Sequence, residues 1–254
     1  MKFGFVIPVY NHGSTLDAVI KNLLPYNFPI IVVDDGNDEK NKAFIQDAVN
    51  RYPSVTLITH KKNHGKGKAM KSGVYAAYKM GLTHILQLDS DGQHDTLSIP
   101  RFIELSEQNP DAVICGIPKY DESAPRERVD GRKYANGYLH VVTFSKEIID
   151  GMIGFRVYPV KPFYKIIRHH IVSNRMAFDI DILVHFCWKG IRIISEPVKI
   201  FYPADGISNY NYVKDTIRIS VMYTRLSAIL LFTFPIVLIR NHIKGRKING
   251  QKSK

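Results

Sequence analysis

The chain has 254 residues, 45% of them apolar and 23% charged, with a formal net charge of +12. That composition suits one sizeable globular domain with an appendage and excludes a disordered or fibrous chain. Its two cysteines, Cys115 and Cys187, lie far apart in apolar runs without metal or redox spacing, so buried thiols in a reducing compartment are expected.

The N-terminal stretch MKFGFVIPVYN does not read as a signal peptide, because its apolar run is short and reaches a turn at once. Phe3 to Pro8 reads as a first strand. Ser14 to Asp17 fits a capping box, and Leu16, Val19, Ile20, Leu23 and Leu24 form a helical stripe. Pro29 to Val33 is a β-branched strand ending at Asp34, Asp35 and Gly36. Ala43, Phe44, Ala48 and Val49 mark a second helix, and Val55 to Thr59 a third strand. Gly67 to Met80 reads as a helix whose small residues (Ala69, Gly73, Ala76, Ala77) allow close packing. His84 to Leu88 is a fourth strand, Ile99 to Glu107 a helix and Ala112 to Cys115 a fifth strand.

After Gly116 the pattern changes. Ile117 to Arg132 reads as a long polar loop, Ala135 to Lys146 as a helix and Phe155 to Tyr158 as a short strand. Asp179 to Lys189 suits a helix. Ile191 to Ser195 and Val198 to Tyr202 suit paired strands around Glu196-Pro197. Leu226 to Ile239 is apolar. At about 1.5 Å per helical residue it falls short of a bilayer core, and Pro235 interrupts it. From Thr216 onward the chain carries eight Lys or Arg and no Asp or Glu. Basic residues around an apolar run favour an anionic membrane surface over nucleic acid. A helix docked on the domain or on a second subunit is the alternative.

Strands that are apolar throughout, alternating with helices, predict a mostly parallel α/β sheet covered on both faces. Ligands bind such sheets outside the carboxyl ends of the strands. There the chain places Tyr10-Asn11, Asp34-Asp35, Asn63-His64 and Asp89-Ser-Asp91.

Three of these stretches look like known motifs and miss. Asn63-His-Gly-Lys-Gly-Lys-Ala-Met70 lacks the Walker and dinucleotide spacings, so a kinase or NTPase is disfavoured. It is either a solvated turn or an anion contact through Lys66 or Lys68. Asp89-Ser-Asp-Gly-Gln-His-Asp95 lacks the sixth-position Gly and twelfth-position Glu of an EF-hand. Its two carboxylates and amide suit either an open divalent-cation site or a capped turn. Asp34-Asp35-Gly36 resembles a hairpin turn, but a helical stripe follows it. Asp179 and Asp181 open a helix, where the dipole alone favours acids.

Taken in order, Ile7-Pro-Val-Tyr-Asn11, Val32-Val-Asp-Asp-Gly36, Asn63-x-Gly-x-Gly-x-Ala69, Asp89-Ser-Asp-Gly-Gln-His94, Asp150-Gly-x-x-Gly-Phe-Arg156 and Phe178-Asp-x-Asp-Ile182 resemble the family 2 glycosyltransferases, over about residues 1–205. The DxDGQH and Gly-Phe-Arg segments are most similar to the polyprenyl-phosphate sugar synthase branch. The resemblance implies a GT-A fold at 1–205 and a basic, apolar helical segment at 206–254 that contacts the membrane at its cytoplasmic face. It implies that Pro8, Tyr10, Asp34 and Asp35 hold the nucleoside of a nucleotide sugar, with Lys68 nearby. Asp89, Asp91 and Gln93 are implied to organise Mg²⁺ or Mn²⁺ on the diphosphate, and Asp179 or Asp181 to occupy the position of the general base. The family's usual Glu after Tyr-Asn is His12 here. Transfer with inversion is expected, to a lipid phosphate or to a glycan hydroxyl. A lipid phosphate needs cations, for which Arg128, Arg132 and Arg156 are candidates, or else these are surface charge. A hydroxyl needs the base. His94 and Asp95 carry no assigned role.

Overall fold

The computed structural model describes the backbone of residues 1–119, 126–200 and 211–252, and the side chains of 1–119, 135–200, 211 and 213–242. The expected elements appear in order: β1 (Phe3–Val9), α1 (Gly13–Leu23), β2 (Ile30–Asp34), α2 (Glu39–Asn50), β3 (Val55–Thr59), α3 (Lys66–Lys79), β4 (His84–Gln87), α4 (Ile99–Gln108) and β5 (Val113–Lys119). They are followed by α5 (Arg126–Thr143), β6 (Arg156–Pro159), α6 (Val160–His169), α7 (Phe178–Trp188), β7 (Ile193–Lys199) and α8 (Tyr212–Lys252).

The seven strands form one sheet in the order β3-β2-β1-β4-β6-β5-β7. β3, β2, β1 and β4 run parallel, β6 is antiparallel to both neighbours, and β7 is parallel to β5. β1, β2, β4 and β6 are buried throughout. This burial is why they read as continuous apolar runs and not as alternating ones. The α1 stripe of Leu16, Val19, Ile20 and Leu23 is buried against the sheet core. Gly73 lets α3 lie close on β1, since a Cβ there would come 2.4 Å from Val6 Cγ1.

Several expectations are corrected. The capping box does not form: α1 begins at Gly13, whose N–H donates to Asn41 Oδ1 of α2 (3.0 Å). In α2 the inward residues are Ile45 and Ala48, while Phe44 is exposed. As the helical stripe after Gly36 indicates, no hairpin follows Asp34-Asp35, and Asp38 caps α2 by accepting from Asn41 N–H. The polar stretch after Gly116 is part strand and part helix, β5 running to Lys119 and α5 starting at Arg126. The two strands around Pro197 are one strand, β7, paired along β5 from Ile193 to Lys199. Proline is tolerated there because β7 is the sheet edge. α6 was not expected, although its buried Val160, Phe163 and Ile166 recur every three residues. Pro235 does not end α8, which runs 41 residues. Its Val213–His242 portion contains an 18-residue window, about 27 Å of helix, of mean hydropathy 1.8 and 17% buried, and by length and composition it could cross a membrane. The length argument against a span therefore falls.

α8 nevertheless lies along the domain. Met222, Leu226 and Val237 are buried. Tyr138 of α5 packs its ring at a tilt against Tyr223 and donates to its carbonyl (2.7 Å), and Asn241 Nδ2 donates to Thr143 O (2.9 Å). The opposite face stays bare: Val221 is 65%, Leu231 80% and Phe232 86% exposed.

Candidate active site

The carboxyl ends of β1, β2 and β4 meet on one edge of the sheet. Pro8 is buried near the end of β1, beyond the last β1–β4 pair, Val6–Gln87. Tyr10 follows it and is half-buried. The turn after β1 is tied to the end of β2 by Asn37, which accepts from Asn11 N–H (2.7 Å) and donates through Nδ2 to Val9 O (2.9 Å) and Asp34 Oδ1 (2.7 Å). This buried amide went unnoticed in the sequence, where it follows the Asp-Asp-Gly motif.

Asp34 and Asp35 are both 2% exposed. Asp35 grips the β3–α3 connection. Its Oδ1 meets His60 Nδ1 (2.8 Å) and accepts from His64 N–H (3.1 Å), while Oδ2 accepts from Gly65 N–H (2.6 Å). Both of its oxygens thus shape that loop, a role not expected from the sequence. His60 continues the chain to Ser72 Oγ on α3 (2.9 Å).

That loop delivers Lys66. Its ammonium lies 2.7 Å from Asp89 Oδ1 and 2.9 Å from Asp179 Oδ2. Burial alone would push the ammonium's pKa down, but Asp179 and Asp89 together outweigh burial and raise it above the ordinary lysine value. Burial raises the Asp89 carboxyl, and Lys66 and its other neighbours reverse that to a net lowering. Lys68 points outward and is exposed. Two positions along a helix turn the side chain about 200°, so Lys66, and not Lys68, faces Asp89 and Asp179.

Asp179 opens α7 and faces this cluster. Its Oδ1 accepts from Gln87 Nε2 (3.0 Å). Asp181, also about 200° further round, faces away from it. It is fully buried, accepts from Ser173 N–H (2.6 Å) and Oγ (2.7 Å), and pairs with Arg225 of α8. Of the two acids, only Asp179 stands beside Asp89; Asp181 is corrected to a contact between α7 and α8.

Arg156 is corrected as well. Expected at the acceptor, it is fully buried in β6 and donates to Asp179 O (2.7 Å) and Tyr158 Oη (3.1 Å). It lies beneath the site. Arg128 and Arg132 belong to α5, and their side chains lie outside the described residues.

In the turn after β4, Asp91 Oδ1 accepts from Gln93 N–H (3.0 Å), so these two side chains sit in one tight bend. His94 is mostly buried against Phe155, with Nδ1 accepting from Asp89 N–H (3.4 Å). Burial lowers its pKa, against the pull of Asp89 and Asp91. Asp95 caps the following 3₁₀ turn through Leu97 N–H (3.0 Å). Gly154 closes the floor, where a Cβ would lie 2.6 Å from both Asp89 Oδ2 and Lys66 Nζ.

The edge therefore combines a carboxylate-rich turn and a half-buried lysine beyond the ends of parallel strands. Residues 5–168 match the glycosyl transferase family 2. The chain belongs to that family. It is a glycosyltransferase enzyme similar to polyprenyl-phosphate sugar transferases. It is 26% identical over 246 residues to a dolichyl-phosphate beta-glucosyltransferase of Dictyostelium discoideum, covering 86% of this chain and 73% of the relative. It is 24% identical over 217 residues to a UDP-N-acetylglucosamine–dolichyl-phosphate N-acetylglucosaminyltransferase of Methanococcus voltae, covering 78% and 84%. Its fold is that of glucosyl-3-phosphoglycerate synthase from Mycobacterium tuberculosis in complex with UDP. That likeness has a TM-score of 0.67 at 12% identity, over 89% of this chain and 79% of the other. A structure of the same synthase with Mn²⁺ and UDP-glucose superposes with a TM-score of 0.63 at 14% identity, over 91% and 78%. The GT-A fold expected from the motifs is thereby established.

Proposed function

We propose that this glycosyltransferase moves a sugar, with inversion at C1, from a nucleotide-diphosphate donor to a polyprenyl phosphate or similar lipid phosphate at a membrane surface. The observation that carries the reading is the meeting of Lys66, Asp89 and Asp179 beside the Asp91–Gln93 bend. Residues 1–205 carry the transfer, and 206–254 contain the membrane-facing helix.

Pro8, Tyr10, Asp34 and Asp35 line the nucleoside end. Asp89, Asp91 and Gln93 supply hard oxygen donors, and such a set fits Mg²⁺ or Mn²⁺ sharing its shell with phosphate oxygens and water. When bound, that cation supplies charge neutralisation at the departing diphosphate. Lys66 adds a fixed positive charge at the same place without proton exchange, its ammonium being held charged by two carboxylates.

The acceptor reading follows from Asp179. One of its oxygens accepts from Gln87 and the other pairs with Lys66, so the carboxylate is committed to the donor side. A hydroxyl acceptor must lose a proton to a base, whereas a phosphate arrives already ionised. Arg128 and Arg132 on α5 are the proposed phosphate cations. The relatives named for dolichyl-phosphate acceptors support the same reading. α8 supports the membrane contact, since its bare apolar face is flanked by basic residues.

The test is transfer from labelled UDP-, GDP- and dTDP-sugars to a short-chain polyprenyl phosphate and to the matching polyprenol, for the unaltered chain and Asp179→Asn. Product on the phosphate alone is expected, reduced but not abolished in Asp179→Asn, because Asp89 still pairs with Lys66. Product on the polyprenol that vanishes in Asp179→Asn contradicts the acceptor reading.

A further inference from the structure

Arg225 belongs to the apolar helix α8, outside the sheet, yet a continuous set of contacts runs from it to Lys66. Its guanidinium pairs with Asp181, a carboxylate fully enclosed on α7. The same Asp181 oxygen accepts from the backbone and hydroxyl of Ser173 (2.6 and 2.7 Å). Ser173 begins a short segment laid directly on the loop that carries Lys66. Asn174 O accepts from Lys68 N–H (2.9 Å). Asn174 Oδ1 accepts from Lys71 Nζ (2.7 Å), and Arg175 Nη1 donates to Asn63 Oδ1 (2.7 Å). The two glycines flanking Lys66 show how tight that contact is. A Cβ on Gly65 would fall 2.6 Å from Asn174 O, and one on Gly67 would fall 2.6 Å from Ser173 O.

We propose that Arg225 is a positioning residue for the donor site: by neutralising Asp181 it fixes residues 173–175 against Gly65 and Gly67, and so holds Lys66 between Asp89 and Asp179. The proposal rests on the donor-site reading above. Arg225 is not needed merely to attach α8, which has separate anchors in the Tyr138–Tyr223 contact and the Asn241–Thr143 bond. Removing the arginine alone leaves a buried charge without its cation, the costly case for an enclosed pair. The shift then falls on Ser173, which hydrogen-bonds the same carboxylate oxygen. Glycines allow the loop to respond, because no side chain on either side of Lys66 props it in place.

The experiment measures binding of UDP, GDP and dTDP with Mn²⁺ to the full chain by calorimetry, with a thermal melt of each variant to establish that it is folded. Arg225→Gln is expected to weaken nucleotide affinity about tenfold, within the range for changes along a coupled network. In a Lys66→Gln background the same change is expected to cost nothing further, because the group it positions is gone. If Arg225→Gln alone does not fold, the neutral pair Asp181→Asn/Arg225→Gln takes its place, with a smaller weakening of about threefold expected, since the charge pair that anchors Ser173 is lost but no lone charge is buried. Unchanged nucleotide affinity in a folded variant, or fold-changes that multiply with Lys66→Gln, overturns the proposal. If the unaltered chain binds none of the three nucleotides, the donor-site reading fails and the proposal fails with it.

Discussion

The donor edge and helix α8 handle their exposed chemistry in opposite ways. At the donor edge, Asp35, Asp89 and Asp179 are each matched within about 3 Å by donors from this chain. Along α8, Leu231, Phe232 and Val221 have no such cover. A buried charge without a partner is intolerable to the fold, so the donor edge must be built before any ligand arrives. An apolar surface is tolerable without cover, but patches of this kind mark contacts with something outside the molecule. The difference fits the proposal that the nucleotide sugar meets a preformed edge and the acceptor comes from a membrane.

The sharpest way to break the donor edge is Lys66→Gln. It leaves Asp89 and Asp179 facing each other without their shared cation, so a loss of about 3 kcal/mol of stability is expected. Transfer should fall at least a hundredfold. Denaturant melts and a transfer assay read the two effects. Gly154→Ala is the next largest. Its new methyl meets Asp89 and Lys66 at 2.6 Å, and overpacking of this kind costs about 1–3 kcal/mol. Nucleotide affinity should drop while the bulk fold, followed by circular dichroism, is retained.

The other side of the comparison is sharpened by Leu231→Ser/Phe232→Ser. Binding to vesicles of mixed neutral and anionic lipid is expected to weaken about a hundredfold, as two apolar side chains lose their burial in lipid. Nucleotide affinity should stay as it was. A change in the reverse pattern would mean that α8's bare face serves the donor edge and not a membrane.

The smallest effect is expected at His185, behind Asp181. Burial pushes its imidazole down to about 4. A folded pKa below the unfolded value means that the unfolded chain binds the extra proton between about pH 4 and 6.5. Stability therefore rises with pH across that window, by at most about 1.4 kcal/mol per pH unit for one group. His185→Leu should flatten that part of the profile, and an unchanged slope would remove His185 as its source.

The parallel half of the sheet was legible because β1, β2 and β4 are buried on both faces, which makes them continuous apolar runs ending in polar residues. β7 was misread as two strands because Pro197 looks like a break; an edge strand needs no donor on its open side. α8 reads as the shorter apolar run Leu226 to Ile239 because charged residues flank it, and in the structure the helix continues through them and through Pro235. Near the candidate site, the sequence places Asp89, Asp91 and Gln93 in one turn after β4, where the structure has them. Lys66 against Lys68, and Asp179 against Asp181, could not be read from spacing. Each choice depends on which way a helix faces, and that is fixed by packing against segments a hundred residues away, such as Asn174 on the α3 loop. Arg156 was misplaced because an arginine inside a strand is indistinguishable from a surface one until the sheet closes over it.

The most direct measurement of the central claim is calorimetric titration of the chain with UDP, GDP and dTDP, with and without Mn²⁺, repeated on Asp91→Ala. Binding of at least one nucleotide that is strengthened by Mn²⁺, with the strengthening lost in Asp91→Ala, is the predicted result. Binding equally strong without metal, or a metal effect that survives Asp91→Ala, would contradict a donor-diphosphate site at the end of β4.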